Sequence, residues 1–241
     1  MELRGVTALV TGSAHRVGKA IALGLAGRGC NVLLHFHASA AAAADTVAEI
    51  RALGVRAEMI RGDLSADPGA VIAAAGDLAP VQVLVNSAAV FPEDRLIDVT
   101  PDQWARTVAV NLTAPVFLTQ AFAAALPEGL SGAVLNVSDW RTQRPYPDHF
   151  SYTVAKGGLD TFTRAAAVGL APRIRVNAVA LGAILPPPGK DSSYLKALAQ
   201  RIPLQRVGGT EPVVAAALAL IENDFITGEI LRVDGGAHLG S

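Results

Sequence analysis

Three proton-handling side chains, Asp139, Tyr152 and Lys156, stand close together in the stretch Asn136 to Lys156, NVSDWRTQRPYPDHFSYTVAK. Gly132 to Val137 reads as a buried strand, so Asp139 falls just past its carboxyl end, where open α/β sheets keep their ligand crevices. Tyr152 opens the helix expected next, and Lys156 follows four residues later on the same helical face. An ammonium near the phenol oxygen favours the phenolate, which brings a group of ordinary pKa about 10 into use near neutral pH as proton donor or acceptor. Tyr-x-x-x-Lys alone is also what a solvated helix pair looks like, and its surroundings give it meaning.

Upstream, Val6 to Val10 is a short apolar strand running into Thr11–Gly18, TGSAHRVG, and then into an alanine-rich helix ending near Gly29. Strand, glycine turn and helix start, in that order, offer backbone amides to a pyrophosphate, with Thr11, Gly12, Val17 and Gly18 lining the turn. Arg16 replaces the middle glycine of the usual fingerprint; its guanidinium can reach a phosphate or a ligand edge, or only cap a solvated turn. The second strand, Asn31 to Phe36, leads into His37-Ala38-Ser39, and the next carboxylate is Asp45. With no carboxylate to repel a ribose phosphate, and with His37 and Ser39 able to donate to one, NADP(H) is favoured over NAD(H). His35 and His37 share a strand face but lack further ligands, so no metal is expected.

A third strand, Val55 to Ile60, precedes Asp63 and Leu64, where Asp63 can accept from an adenine amine or cap the next helix. The fourth, Val81 to Val85, ends at Asn86, Ser87 and Ala88, small enough to admit a flat ring. Phe91 behind them either stacks on a ligand ring or joins the core. Pro101 to Leu126 reads as one long helix, and Asn111 inside it suggests a kink, a water site or a catalytic relay, with Pro115 supporting an irregularity. Ile174 to Val179 is another strand. The Gly- and Pro-rich run Ala180 to Lys190 is expected to be irregular and to begin a lid spanning about residues 181–201, with Gly182 and Ile184 facing the cofactor. Glu211 to Ile221 reads as a short helix and Glu229 to Val233 as the last strand.

The totals agree with that pattern. A chain of 241 residues, 51% hydrophobic, suits one α/β domain over residues 1–241, and the alternation of strands and helices points to a doubly wound parallel sheet. A net charge of -1 gives no reason to expect nucleic acid or an acidic membrane surface, which leaves a small-molecule substrate as the expected partner. The lone Cys30 cannot form an internal disulfide, the N-terminus lacks signal-peptide order, and no apolar run approaches bilayer-spanning length, so a cytoplasmic protein is expected.

On these residues the chain resembles the short-chain dehydrogenase/reductases from end to end. The likeness rests on TGxxxxxG at Thr11 to Gly18, Asp63, NSAA at Asn86, Asn111, YTVAK at Tyr152 and ITGEILRVDGG at Ile226 to Gly236. It implies a Rossmann-like, seven-stranded fold, a nicotinamide cofactor, Tyr152 as proton donor, Lys156 on the ribose, Asn111 holding a water relay, and a homotetramer. The apolar stripe Phe162, Ala165, Ala166 and Leu170 is compatible with that assembly or with core packing. The family's serine lies 13 residues before the tyrosine; that place is Asp139, with Ser138 one residue too early.

Asp139, Arg16, the HFHAS strand end and Phe91 together look like the pteridine reductases and bacterial dihydromonapterin reductases. The implied roles are Arg16 on phosphate and pterin, Phe91 sandwiching the pterin, and Asp139 with Tyr152 supplying protons. A carboxylic acid suits reduction of C=N, which places a proton on a basic nitrogen, and burial should raise the pKa of Asp139 toward that use. Two positions depart: Ala38 stands where a second arginine is common, and Leu181 replaces the proline of the usual Pro-Gly. Three alternatives stay open. Asp139 is a capping carboxylate with Ser138 in the serine's role; the enzyme is a generic reductase of a ketone, sugar or 3-oxoacyl thioester; or the chain senses NADP(H) without turnover, against which the set Asn111, Tyr152 and Lys156 argues.

Overall fold

In the computed structural model, which describes residues 1–186 and 192–239, the strands form one seven-stranded sheet in the order β3-β2-β1-β4-β5-β6-β7. They are β1 Thr7–Val10, β2 Asn31–Phe36, β3 Ala57–Arg61, β4 Val81–Asn86, β5 Gly132–Asp139, β6 Ile174–Leu181 and β7 Ile230–Val233, each paired in parallel with its neighbours. The central strands are near-continuous apolar runs because helices cover both faces and neither face is left to water. Alternation sends Val10, Leu34 and Val85 into one core and Leu9, Leu33 and Leu84 into the other.

The first core lies under α1 (Arg16–Gly27), α2 (Ala40–Ala52) and α8 (Thr210–Glu222); the second lies under α3 (Gly69–Ala73), α5 (Ala114–Ala125) and α6 (Phe150–Leu170). Two further helices, α4 (Pro101–Val108) and α7 (Ser192–Ala199), complete the described elements that matter for the site. Strand order reverses between β1 and β4, which opens a crevice at their carboxyl ends.

The expected helix from Pro101 is continuous but not uniform. It starts with a capping box, Gln103 N–H donating to Thr100 Oγ1 (3.2 Å) and Thr100 N–H to Gln103 Oε1 (3.0 Å), an arrangement worth about 1 kcal/mol. Between α4 and α5 the turn Ala109–Thr113 is a π-turn, and Pro115, which has no N–H to give to the preceding turn, follows two residues after it. The continuous stretch Pro101–Ala125 is, by length and composition alone, long and apolar enough to cross a membrane, which corrects the expectation that no such run exists. Here its apolar side serves the core: Leu118 and Phe122 are fully buried against the sheet.

Other boundaries also shift. Asp139 is the last residue of β5, paired with Leu181, instead of lying beyond the strand, and β6 runs on to Leu181 because β7 pairs with it as far as Val233. Tyr152 is the third residue of α6, which begins at Phe150. The expected lid is helical in its second half, where α7 forms, while residues 187–191 of it lie outside the described residues.

Candidate active site

The glycine turn after β1 is built for close backbone approach. Gly12 has φ +63°, and a Cβ there would stand 2.8 Å from Ala88 Cα; one on Gly18 would stand 2.6 Å from Gly12 O. The N-cap of α1, His15, makes no side-chain cap bond and the first turn holds no acidic residue, so the leading amides stay available to an anion. Thr11 Oγ1 accepts the amides of Ser87 and Ala88 (both 3.0 Å) and donates to Val85 O (3.3 Å), which ties the ends of β1 and β4 together. His35 fixes the turn from below: its Nδ1 accepts Gly12 N–H at 3.3 Å and its Nε2 lies 3.2 Å from Gly62 O, so the ring is a neutral donor through Nε2, with burial holding its pKa down.

At the adenosine end the expected residues converge loosely. His37 Nε2 lies 3.8 Å from Asp63 Oδ2 on the surface. Ser39 is the N-cap of α2 without a side-chain cap bond, leaving its hydroxyl uncommitted to that helix. Asp63 Oδ1 accepts both the amide (2.9 Å) and the hydroxyl (2.7 Å) of Ser65, which hold its carboxyl below the usual range, and Leu64 is buried. Arg16, itself at φ +60°, reaches the other way: its Nη2 donates to Pro186 O at 2.9 Å, joining the glycine turn to the segment after β6. In that segment Gly182 is demanded by packing, since a Cβ would stand 2.6 Å from Asp234 Cα, and Ile184 is buried. These residues fit an extended dinucleotide laid across the carboxyl ends of β2, β1 and β4, with its phosphates on the open amides of α1.

The proton-handling group is compact. Tyr152 Oη donates to Asp139 Oδ2 at 3.0 Å, and Asp139 Oδ1 accepts the Arg141 amide at 2.9 Å, capping a short 3-10 turn, Trp140–Thr142. Ser138 points to the other face of β5: it is 2% exposed and its Oγ donates to Asp160 Oδ1 at 2.5 Å. Burial pushes the Asp139 carboxyl up, against the bonds from Arg141 and Tyr152. It also pushes the Tyr152 phenol well above 10, with the Asp139 charge adding to the effect.

The expectation that Lys156 steers Tyr152 toward phenolate therefore needs correcting. The Lys156 ammonium donates to Val137 O at 2.7 Å and lies 5.6 Å from the Tyr152 ring centroid, and the phenol keeps its proton for Asp139. Burial lowers Lys156 to about 8, opposed by the charges of Asp139 and Asp160.

Asn111 is fully buried in the π-turn. Its Nδ2 donates to Val90 O and Thr107 O (both 3.0 Å), while Oδ1 has no partner among the described residues. Asn86 Nδ2 donates to Asn136 Oδ1 at 2.8 Å, and its own Oδ1 is likewise unpartnered. Phe91, 42% exposed, stacks on His149 (centroids 3.7 Å, planes 13° apart) and meets Tyr152 edge-on at 4.6 Å, with the Arg141 guanidinium 5.7 Å from its centroid. His149, Arg141 and Asp94 were missed by sequence reasoning. Only Arg141, two residues past Asp139, carried a local signal. Among the described residues no group of three or more His, Cys, Asp or Glu is placed to hold a metal.

Over residues 12–238 the chain matches the family model described as enoyl-(acyl carrier protein) reductase. A crystal structure of FolM alternative dihydrofolate reductase 1 from Brucella canis, complexed with NADP, superposes with a TM-score of 0.95 at 36% identity, covering 100% of this chain and 96% of that one. Similarity extends to L-xylulose reductase of Bos taurus, 36% identical over 98% of both chains. It extends also to glucose 1-dehydrogenase 2 of Bacillus subtilis, 32% identical over 99% of this chain and 96% of that one.

Proposed function

The chain belongs to the short-chain dehydrogenase/reductase family, and from that membership we propose that it is an NADPH-dependent reductase of a substrate with a pterin-like C=N bond. The observation that carries this reading is the 3.0 Å bond between Tyr152 Oη and Asp139 Oδ2, a carboxyl where family members use a serine. A serine hydroxyl can hold a carbonyl oxygen, whereas a carboxylic acid, far more acidic, can pass a proton through the phenol to a basic nitrogen. Likeness to a FolM dihydrofolate reductase supports the same substrate class.

The turn Thr11 to Gly18, the Asn86 to Ala88 segment and Lys156 would hold the cofactor, which when bound supplies a hydride. Phe91, exposed at the crevice beside the phenol, gives a flat ring a surface to rest on while Tyr152 Oη faces the atom that takes the proton. Asp139 Oδ2 then returns a proton to Tyr152 Oη. The absence of an acidic residue after β2, with His37 and Ser39 in its place, favours the phosphorylated cofactor. The test is oxidation of NADPH, and separately of NADH, by purified protein offered a dihydropterin, a ketose or an acetoacetyl thioester. Turnover of the dihydropterin is expected.

A second reading, a reductase of sugars or ketones, is favoured by the L-xylulose reductase and glucose dehydrogenase relatives. Under it, Asp139→Ser preserves or improves turnover. We also propose a homotetramer, supported by the family and by Phe117 and Val154 exposed on α5 and α6; a monomeric mass in solution would refute it.

A further inference from the structure

The segment Phe91 to Asp94 is laid against the start of α6 through Phe91, Pro92 and Asp94. Phe91 packs on His149 and Tyr152, His149 Nδ1 lies 2.6 Å from Pro92 O, and Phe150 N–H donates to Asp94 O at 3.2 Å. Asp94 Oδ1 accepts the Ser151 amide at 3.0 Å and its Oδ2 accepts the Ser151 hydroxyl in a shorter bond. This matters because α6 has no cap of its own. Its N-cap, His149, is left-handed (φ 52°, ψ 44°) and makes no side-chain cap bond, and the first turn contains no acidic residue. Asp94, 57 residues upstream of Ser151 and 5% exposed, supplies the missing acceptors and a negative charge at the positive end of the helix.

We propose that Asp94 is a positioning residue for the reaction, clasping the segment that carries Phe91 to the helix that carries Tyr152. Tyr152 is the residue next to Ser151, so the clasp sets where its phenol meets Asp139 Oδ2, and Phe91 is held to the same body. Without it, the ring platform and the proton donor lose their common reference. The inference rests on Tyr152 being the proton donor of the reaction proposed above, whichever unsaturated bond is reduced.

The test compares Asp94→Ala, Asp94→Asn and Ser151→Ala, each read for kcat, substrate KM, NADPH affinity by fluorescence titration, and Tm. Displacement of a reacting group by about 1 Å costs about 100-fold, so Asp94→Ala should lower kcat roughly 10- to 100-fold. NADPH affinity should fall far less than kcat, because the glycine turn is a separate element and Lys156, a turn further along α6, is held by its own bond to Val137 O. Asp94→Asn still accepts the Ser151 amide and lets the hydroxyl bond reverse, so it should recover most of kcat. Two results overturn the proposal: kcat kept in Asp94→Ala while Tm falls, which is a purely structural cap, or kcat and NADPH affinity lost in parallel, which is general damage. Should Asp94→Ala fail to fold, Ser151→Ala decides, a several-fold kcat loss at unchanged NADPH affinity supporting the clasp and an unchanged kcat refuting it. All variants are assayed on whichever substrate the wild type turns over. A wild type active on ketones but not on dihydropterins refutes the pterin reading and leaves this comparison in force.

Discussion

Tyr152 Oη donates to one oxygen of Asp139 across 3.0 Å while the other oxygen accepts the Arg141 amide at 2.9 Å. One carboxylate thus both caps a turn and partners the phenol, so the capping half of the alternative reading coexists with the phenol contact, while Ser138, bonded to Asp160 on the other face of β5, does not meet Tyr152. The amide bond aims the carboxylate, and burial, which raises both groups, keeps a proton between them.

If that proton is the one delivered, Asp139→Asn should lower kcat on a C=N substrate by about 100-fold or more, the usual scale of general acid catalysis. NADPH binding should hold. Steady-state kinetics beside a fluorescence titration check both, and full activity in the variant would remove Asp139 from the chemistry.

Ser138→Ala should do the reverse. Its hydroxyl serves Asp160, whose second oxygen already has no partner among the described residues, so the variant should lose about 1–3 kcal/mol of stability and keep kcat within a few-fold. Denaturant unfolding with parallel kinetics separates these, and a kcat loss as deep as that of the Asp139 variant would return the serine's role to Ser138.

Phe91→Ala removes the ring stacked on His149 and with it the platform for a flat substrate. A stacking contribution of about 0.5–1.5 kcal/mol corresponds to a roughly 2- to 12-fold fall in kcat/KM for a dihydropterin. Unchanged turnover would show that the substrate ring does not rest there.

Gly12→Ala forces a side chain into φ +63° and within 2.8 Å of Ala88 Cα. The strain, on the order of 1–3 kcal/mol, should appear as a lower Tm and weaker NADPH binding together, because the turn and the junction with β4 are one structure. Calorimetry with and without NADPH measures both; an unaffected affinity would mean that the turn does not approach the cofactor.

Burial lowers Lys156 from its ordinary 10.5 to about 8, so between those values the native state binds fewer protons than the unfolded chain. The stability cost of its charge is complete below about pH 8 and is relieved as pH rises toward 10.5. Compared with Lys156→Met, the wild type should therefore gain relative stability between pH 7 and 9.5. Urea midpoints at the two pH values give the comparison, and parallel shifts in both proteins would contradict it.

The sheet was legible in the chain because strands buried on both faces are mostly apolar, as Val32–Leu34 within Asn31–Phe36 shows. So were the places of Gly12 on a turn and of Tyr152, Lys156 and Asn111 on helices, which local chain signals set. What the sequence hid depends on distant partners. Helical spacing brought Lys156 toward the phenol, but a carbonyl on the preceding strand took its ammonium. Strand alternation separated Ser138 from Asp139, yet only the partners Asp160 and Tyr152 show which face belongs to the site. Asp94 and His149 carry no periodic signal, since their meaning is a pairing between a loop and a helix far apart in the chain.

The π-turn at Ala109–Thr113 also limits how this protein can change over time. One added residue is what widens an α-turn into a π-turn, so deleting a single position there would close it to ordinary α-helix and withdraw Asn111 from Val90. Length variation among descendants of this chain should therefore collect in the surface connections and spare this turn, making its residue count as strict a signature as any side chain.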